Sequence, residues 1–466
     1  MRRSAILTAI GAAVTLMLPS QAFPHPGVAG AVEIVAQQTV KAGLVPGIVI
    51  AVVDGDAPPI IQAYGLASLA SGAPVDKHTR FEIGSITKQF TAAAVLQLAA
   101  AGKLSLRDRL GGYVPEYAAG RDVSIEQLLH QVSGIPDYTN GADFDRIAAT
   151  RGGSFDAMLA RIATKPLNFV PGTHWEYSNT NYVLLGQIVE RVSKMSWEQY
   201  IRTRVFARAG MTSSGFMDDE RTLPDMATGY ESRNGKVVRA SSAGGWAGAA
   251  GAIVSTATDM LKWDDALFAG KVVSRRDLAL MTAPGRLSNG HPTSYGFGLD
   301  IERQNGQAVF EHEGGTPGFG ALNAVYSELH ESIVVLGNNS QASLIGARLF
   351  AALHPALASA VVPAPGENLT ITARAKEWWN RFATGDIDRR QLSPSLGKSL
   401  TPELAAQLKG HLAQLGRPTA WRYRGHASAP RGATWYDYTV TCKSGASVPF
   451  SLALTSSGTI TSFRFD

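Results

Sequence analysis

Apolar and β-branched residues dominate positions 47–54 and 60–64, with Asp54-Gly55-Asp56 and Pro58-Pro59 supplying turn chemistry between them. That pattern predicts a β-hairpin. Residues 85–101 are rich in alanine and leucine and close on Gly102, the mark of a long helix. Helical spacing recurs at 124–131, 181–194, 196–209 and 256–268, and again at 341–357. Strand-like runs lie at 295–301, 308–311, 322–327 and 333–336. Strands near both ends with helices between them predict an α+β domain. Its antiparallel sheet is formed by both ends of the main domain, with flanking helices and a helical lobe. A Pro-containing linker is expected at 361–367, with Pro363 and Pro365. Beyond it come helical patterns at 373–382 and 403–412, then strand-like runs at 421–426, 434–442, 449–454 and 459–465. This second pattern predicts a small C-terminal α+β accessory domain over 368–466.

The start of the chain follows a different pattern. Arg2 and Arg3 precede an apolar or small run at 5–18, Pro19 breaks it, and Ser20-Gln21-Ala22 presents small residues where a signal peptidase cuts. Fourteen residues fall short of the roughly 20 that span a bilayer. Residues 1–22 are therefore expected to be a signal peptide, 23–360 the main domain, and the protein periplasmic or secreted with no stable membrane span once mature. Across all 466 residues, 45% are hydrophobic and 17% charged, with 48 glycines and 23 prolines, which suits an ordered, loop-rich enzyme rather than a disordered chain. The net charge is +5; without Arg2 and Arg3, 41 basic residues face 38 acidic ones and it falls to +3. No basic run is interleaved with aromatics, so nucleic acid is excluded as a partner. Cys442 is the only cysteine, which rules out an internal disulfide, and its place in an alternating stretch marks it as a packed thiol.

Three short motifs carry candidate chemistry. Ser85-Ile86-Thr87-Lys88 places a hydroxyl and an amine three residues apart, on one face of a helix and at its start. A neighbouring base and the positive end of a helix together activate a weak nucleophile. Ser is also a common N-cap, and Ser395-Leu396-Gly397-Lys398 repeats the pattern, though its internal glycine suits a helix poorly. Tyr177-Ser178-Asn179 offers a phenol to shuttle a proton and an amide to hold a lysine and a substrate carbonyl, with Tyr138-Thr139-Asn140 as an internal look-alike. His312-Glu313-Gly314-Gly315 follows a strand-like run; its glycines let a substrate approach the backbone, and His312 is positioned to orient a carboxylate or carbonyl. No second histidine or acid cluster has ligand spacing, so no metal and no other cofactor is expected.

In this order and spacing, the chain resembles the class C β-lactamase-like serine hydrolases of the serine β-lactamase and penicillin-binding superfamily, over about residues 30–357. Further matches are Phe81-Glu82-Ile83-Gly84-Ser85, Leu128-Leu129-His130-Gln131-Val132-Ser133-Gly134-Ile135-Pro136 and Gly251-Ala252-Ile253-Val254-Ser255-Thr256. Phe297-Gly298-Leu299 and Gly314-Gly315-Thr316-Pro317-Gly318 also fit. The resemblance implies Ser85 as the acylated nucleophile, Lys88 and Tyr177 as joint proton carriers, and Asn179 as a substrate-positioning amide. It also implies an oxyanion hole from the N–H groups of Ser85 and Gly315, with His312 and Gly314 beside the substrate. One departure bears on substrate: class C β-lactamases begin the third motif with lysine, whereas His312 stands here. A histidine, with pKa near 6.5, gives no fixed cation for a β-lactam carboxylate at pH 7. Lys443-Ser444-Gly445 would match the lysine version but sits in the accessory domain, at an expected hairpin turn. The expected activity is hydrolysis of an ester or D-amino-acid amide through an acyl-serine, in the manner of an esterase, D-alanyl-D-alanine carboxypeptidase or D-aminopeptidase. The alternatives are a true β-lactamase and a non-catalytic binder of penicillin or peptidoglycan peptides. Expected partners are small-molecule or peptide substrates, with peptidoglycan stem peptides and β-lactams among the candidates. Every candidate residue precedes 358, so the chemistry is expected to reside in the main domain.

Overall fold

The computed structural model describes residues 27–465 apart from 44, 142, 149–152, 220–222, 234–235, 242–243, 359–365, 430–431 and 443–446. The expected signal peptide, most of the linker and Lys443-Ser444-Gly445 lie outside the described residues. A helix that the patterning did not announce, α1 (Val28–Lys41), opens the fold. The hairpin follows as β1 (Gly47–Asp54) and β2 (Ile60–Gly65). After the helical lobe, four strands return: β3 (Asp300–Gln304), β4 (Gln307–Thr316), β5 (Phe319–Tyr326) and β6 (Glu331–Gly337). They form one antiparallel sheet in the order β2-β1-β6-β5-β4-β3, so the two ends of the domain meet where β1 pairs with β6. The fold is α+β, as the patterning predicts.

β1 reads as a continuous apolar run because both of its faces are covered. Alternate side chains point to opposite sides of a sheet. Ile48, Ile50 and Val52 therefore join Val32, Val35 and Ala36 of α1 and Leu349 and Phe350 of α5 (Gly346–Leu353) in one core. Val49 and Ala51 join the larger core on the other face. That core is built on α2 (Thr87–Ala100), α3 (Asn179–Ser193) and α4 (Ala257–Phe268). The hydrophobicity of α2 runs all round it, and the structure buries it on nearly all sides, as such a helix requires. The polar exceptions are paired. Gln89 accepts from Trp263 and donates to Asn323, and Asn323 donates to both oxygens of Asp264, each of the latter bonds 2.9 Å long.

Two expectations shift. The strand read at 295–301 lies later, at β3, because the stretch before it carries Gly296 and Gly298; Gly298 has φ +74° and lies against the backbone of Lys88. The strand read at 308–311 runs on to Thr316, so His312, Gly314 and Gly315 lie within the strand rather than after its end. Residues from 366 onward have their own core, which includes Trp378 and Trp379 of α6 (Leu369–Thr384) and Leu412 of α7 (Pro402–Leu415). These pack on a four-stranded antiparallel sheet, β7 (Pro418–Ser428), β8 (Thr434–Cys442), β9 (Ser447–Leu454) and β10 (Ile460–Phe465), and Cys442 is buried there. Among the described residues, no helix is long and apolar enough to cross a membrane.

Candidate active site

Ser85 does not open the α-helix but occupies a tight 3₁₀ turn, Gly84–Ile86, immediately before α2. Gly84 allows the turn by taking φ +50°, and its Cα faces the backbone of Gly315 so closely that a Cβ would lie 2.6 Å from the Gly315 nitrogen. Lys88, on the first turn of α2, is fully buried. Its Nζ lies 2.9 Å from Ser85 Oγ, 2.8 Å from Asn179 Oδ1 and 2.9 Å from the Ala250 carbonyl oxygen. Two of those partners can only accept. In the neutral amine they take both N–H bonds, and the lone pair is left facing the Ser85 hydroxyl. Burial pushes the Lys88 pKa down to about 7, with the Asp137 carboxylate pulling the other way. The amine is thus a base near neutral pH.

Asn179 is fixed in its turn by a residue that the motifs did not reveal. Asp137 is buried, and its Oδ2 accepts from the Asn179 backbone N–H at 3.0 Å and from Asn179 Nδ2 at 2.9 Å. Only one orientation of the amide satisfies both Asp137 and Lys88. The Leu128–Pro136 stretch, without chemistry of its own, clasps the Tyr177 loop from below. Gln131 Oε1 accepts from Ser178 N at 3.1 Å and from Asn181 Nδ2 at 2.6 Å, and Ser133 Oγ donates to Asn181 Oδ1 at 2.7 Å. Gln131 takes φ +61° to do so. An aspartate two residues after a Ser-Gly-Ile turn was the available signal for Asp137, but nothing in sequence spacing ties residue 137 to residue 179.

Strand β4 forms the opposite wall. Gly314 is packed so tightly that a Cβ would lie 1.9 Å from the Ile83 carbonyl oxygen, whereas a Cβ on Gly315 would meet nothing within 4 Å. The strand therefore touches the nucleophile turn at one glycine and leaves the next open. His312 is buried, with Nδ1 2.6 Å from the Glu313 carbonyl oxygen and Nε2 3.0 Å from the Tyr295 hydroxyl. The carbonyl can only accept, so Nδ1 carries the proton and Nε2 accepts from Tyr295. Desolvation holds the His312 pKa down at about 4, with Asp300 opposing and Lys88 reinforcing the shift, so the ring is neutral at pH 7. Both ring nitrogens are occupied by the protein, contrary to the expectation that His312 reaches a substrate group directly. Its ring instead forms an aromatic corner with Tyr177 (6.1 Å) and Tyr295 (5.9 Å), and Tyr177 and Tyr295 stand 6.2 Å apart. Lys88 Nζ sits 4.9 Å from the centre of the Tyr177 ring. Burial raises the Tyr177 pKa well above the ordinary phenol value, against a lowering hydrogen bond to Ser85.

The look-alike motifs fall elsewhere. Ser395-x-x-Lys398 does form a helix, Pro394–Ser399, despite its glycine, because Pro394 opens it and Ser393 caps it. Ser395 and Lys398 are both exposed, in the C-terminal unit. Tyr138 is buried with its hydroxyl on the Trp246 carbonyl. The structure thus brings Ser85, Lys88, Tyr177, Asn179, His312, Gly314 and Gly315 around one point.

A family profile described as Beta-lactamase matches residues 33–355. The chain is 33% identical over 268 residues to a protein named putative penicillin-binding protein PbpX from Bacillus subtilis, a match covering 56% of this chain and 63% of that one. It is 30% identical over 283 residues to a D-aminopeptidase of Brucella anthropi, covering 59% of this chain and 52% of that protein. The chain thus spans less than two thirds of the length of either relative. Among solved structures, a D-stereospecific amidohydrolase from Streptomyces sp. superposes with a TM-score of 0.58 at 27% identity, covering 67% of this chain and 97% of that one.

Proposed function

The chain belongs to the Beta-lactamase family, and from that premise we propose that it is an exported serine hydrolase cleaving amides or esters of D-amino acids through an acyl-serine intermediate. The observation that carries the proposal is the buried Lys88 amine, held by Asn179 and Ala250 with its remaining position on Ser85 Oγ. In this reading Ser85 Oγ attacks the substrate carbonyl while its proton passes to the neutral Lys88 amine. The resulting ammonium has three donors for three acceptors, so it costs no rearrangement. The backbone N–H groups of Ser85 and Gly315 receive the oxyanion. Tyr177, which its raised pKa keeps protonated, is suited to hand a proton to the leaving amine or alcohol and to recover one from Lys88. Water then repeats the sequence in reverse and frees Ser85.

Neutral His312 supports the choice of substrate. The third motif offers no cation to grip a β-lactam carboxylate, and relatives named D-aminopeptidase and D-stereospecific amidohydrolase point the same way. The test is a panel of D- and L-amino-acid amides, D-alanyl peptides, short-chain esters and β-lactams on the purified mature protein. D-amides or esters are expected to exceed β-lactams in kcat/KM by about a hundredfold, roughly 2.7 kcal/mol in transition-state binding. Equal turnover of L-isomers, or β-lactams as best substrates, would overturn the substrate assignment. Export is part of the same proposal, and amino-terminal sequencing of the exported protein is expected to start near Phe23.

A further inference from the structure

Strands β3 and β4 carry a charge arrangement that they cannot support alone. Asp300 and Glu311 are direct partners across the antiparallel pair, and Glu302 lies two residues further along β3 on the same face. Like charges placed opposite each other destabilise a strand pair, and burial strengthens the repulsion. Here Glu302 and Glu311 are both largely buried, with side-chain exposures of 10% and 8%. Their counter-charges come from the C-terminal unit. Arg422 Nε lies 2.5 Å from Glu302 Oε2, and its Nη2 pairs with Glu311. Arg424 Nη1 pairs with Glu302 and lies 3.8 Å from Asp300 Oδ1. A bulge between Tyr423 and Gly425 interrupts the alternation of β7 at Arg424, and the two arginines converge on the same carboxylate, Glu302. Further along β7, the His426 ring meets that of His291 with centroids 6.4 Å apart. His291 tips a loop whose base returns to Tyr295, where Gly285 N donates to the Tyr295 carbonyl oxygen at 2.9 Å.

We propose that the C-terminal unit is a positioning element of the active site, acting through Arg422 and Arg424 on the β3–β4 edge hairpin. This proposal rests on the serine hydrolase reading above. The hairpin is the outermost part of the sheet, held by neighbouring strands on one side only, and so is the part most easily displaced. Side chains alternate along β4, so Glu311 faces the arginines while His312 faces the catalytic side, in the corner with Tyr177 and Tyr295. Pinning Glu311 fixes His312, and His312 fixes the ring of Tyr177. In this proposal the reacting groups lie in the main domain, and one wall of their site is set from outside it.

The experiment uses the full-length chain with Arg422→Met, measured alone and with His312→Ala, on the best substrate found. Arg422→Met is expected to lower kcat/KM at least tenfold, mainly through kcat. In the His312→Ala background the same change is expected to cost less than threefold, because the wall it holds is already gone. A folded Arg422→Met variant within twofold of wild type would overturn the proposal. So would an equal loss in both backgrounds that tracks a fall in Tm, since that describes a purely structural role. If Arg422→Met does not fold, Glu302→Gln, nearly the same size, carries the same comparison from the other side of the pair. Fluorophosphonate labelling of Ser85 separates the two readings: a wild-type chain that is not labelled there refutes the hydrolase, whatever Arg422 does.

Discussion

At the scale of single residues, the site turns on how Lys88 is kept neutral without being left unsatisfied. A fully buried ammonium without compensation is costly, and the protein answers by lowering the pKa to about 7 while supplying two carbonyl-type acceptors for the amine. The pH dependence follows with a definite sign. Only the neutral amine accepts the serine proton, so kcat/KM is expected to rise with pH through about 7 and to reach a plateau above it. Tyr177 should add no falling limb below its ordinary range, because burial moves it upward. Asp137→Asn tests both halves of the arrangement. It removes the charge that raises the Lys88 pKa, so the rising limb should move to lower pH. It also weakens the hold on the Asn179 amide; a hydrogen bond to a charged group contributes about 1.5–3 kcal/mol, so the plateau should fall roughly tenfold or more. A shift of the limb to higher pH would contradict this account. Ser85→Ala should abolish fluorophosphonate labelling and reduce turnover by several orders of magnitude, while exposed Ser395 stays unlabelled.

Between elements, the decisive contact is that of β4 with the nucleophile turn, and two adjacent glycines play opposite parts in it. A methyl on Gly314 would meet the Ile83 carbonyl oxygen at 1.9 Å, and backbone cannot step aside. Gly314→Ala is therefore expected to part the strand from the turn, costing about 1–3 kcal/mol in stability as overpacking does, and to slow Ser85 labelling by a hundredfold or more. Gly315→Ala meets nothing and should keep the wild-type Tm, with its loss confined to substrate turnover because the methyl stands where substrate would lie. Thermal melts and labelling rates of the two variants, run side by side, check the contrast. Both glycines stand out in the sequence as a Gly-Gly pair. Which one is the contact and which the opening depends on the pleat of β4 against residue 83, and that is a property of the packed strand.

For the whole molecule, the three cores define what unfolds together. The two main cores contain no residue beyond 357, and the third contains none before 371. Trp379 lies at the heart of the third, with Trp421 at 5.7 Å, Phe450 at 5.5 Å and Phe465 at 5.9 Å. Trp379→Ala should cost about 3–5 kcal/mol. Calorimetry is expected to show two transitions, with only the C-terminal one lowered; a single transition moving as a whole would show that the units unfold as one. The link between them is polar, through the guanidiniums and carboxylates at β7 and β3–β4, and a polar interface of this kind leaves unfolding largely separate while still setting geometry.

Local pattern alone marked most of the elements and the chemistry's ingredients. The apolar run of β1, the alanine-rich run of α2, and the order of Ser85, Lys88, Tyr177, Asn179 and His312 are all readable along the chain, because composition and motif spacing are short-range properties. Helix α1 escaped because its valines and alanines face β1 and α5, partners that spacing does not reveal. The grip of Asp137 on Asn179, the closure of His312 Nε2 by Tyr295 and the reach of Arg422 to Glu302 and Glu311 join residues 17 to 120 positions apart. Such pairs exist only once hydrophobic burial has brought the elements together, and once it has, each buried polar group must find a partner or raise the cost of folding. The sequence therefore specified which groups could react, while the tertiary structure decided which of them are held, in which orientation and in which protonation state.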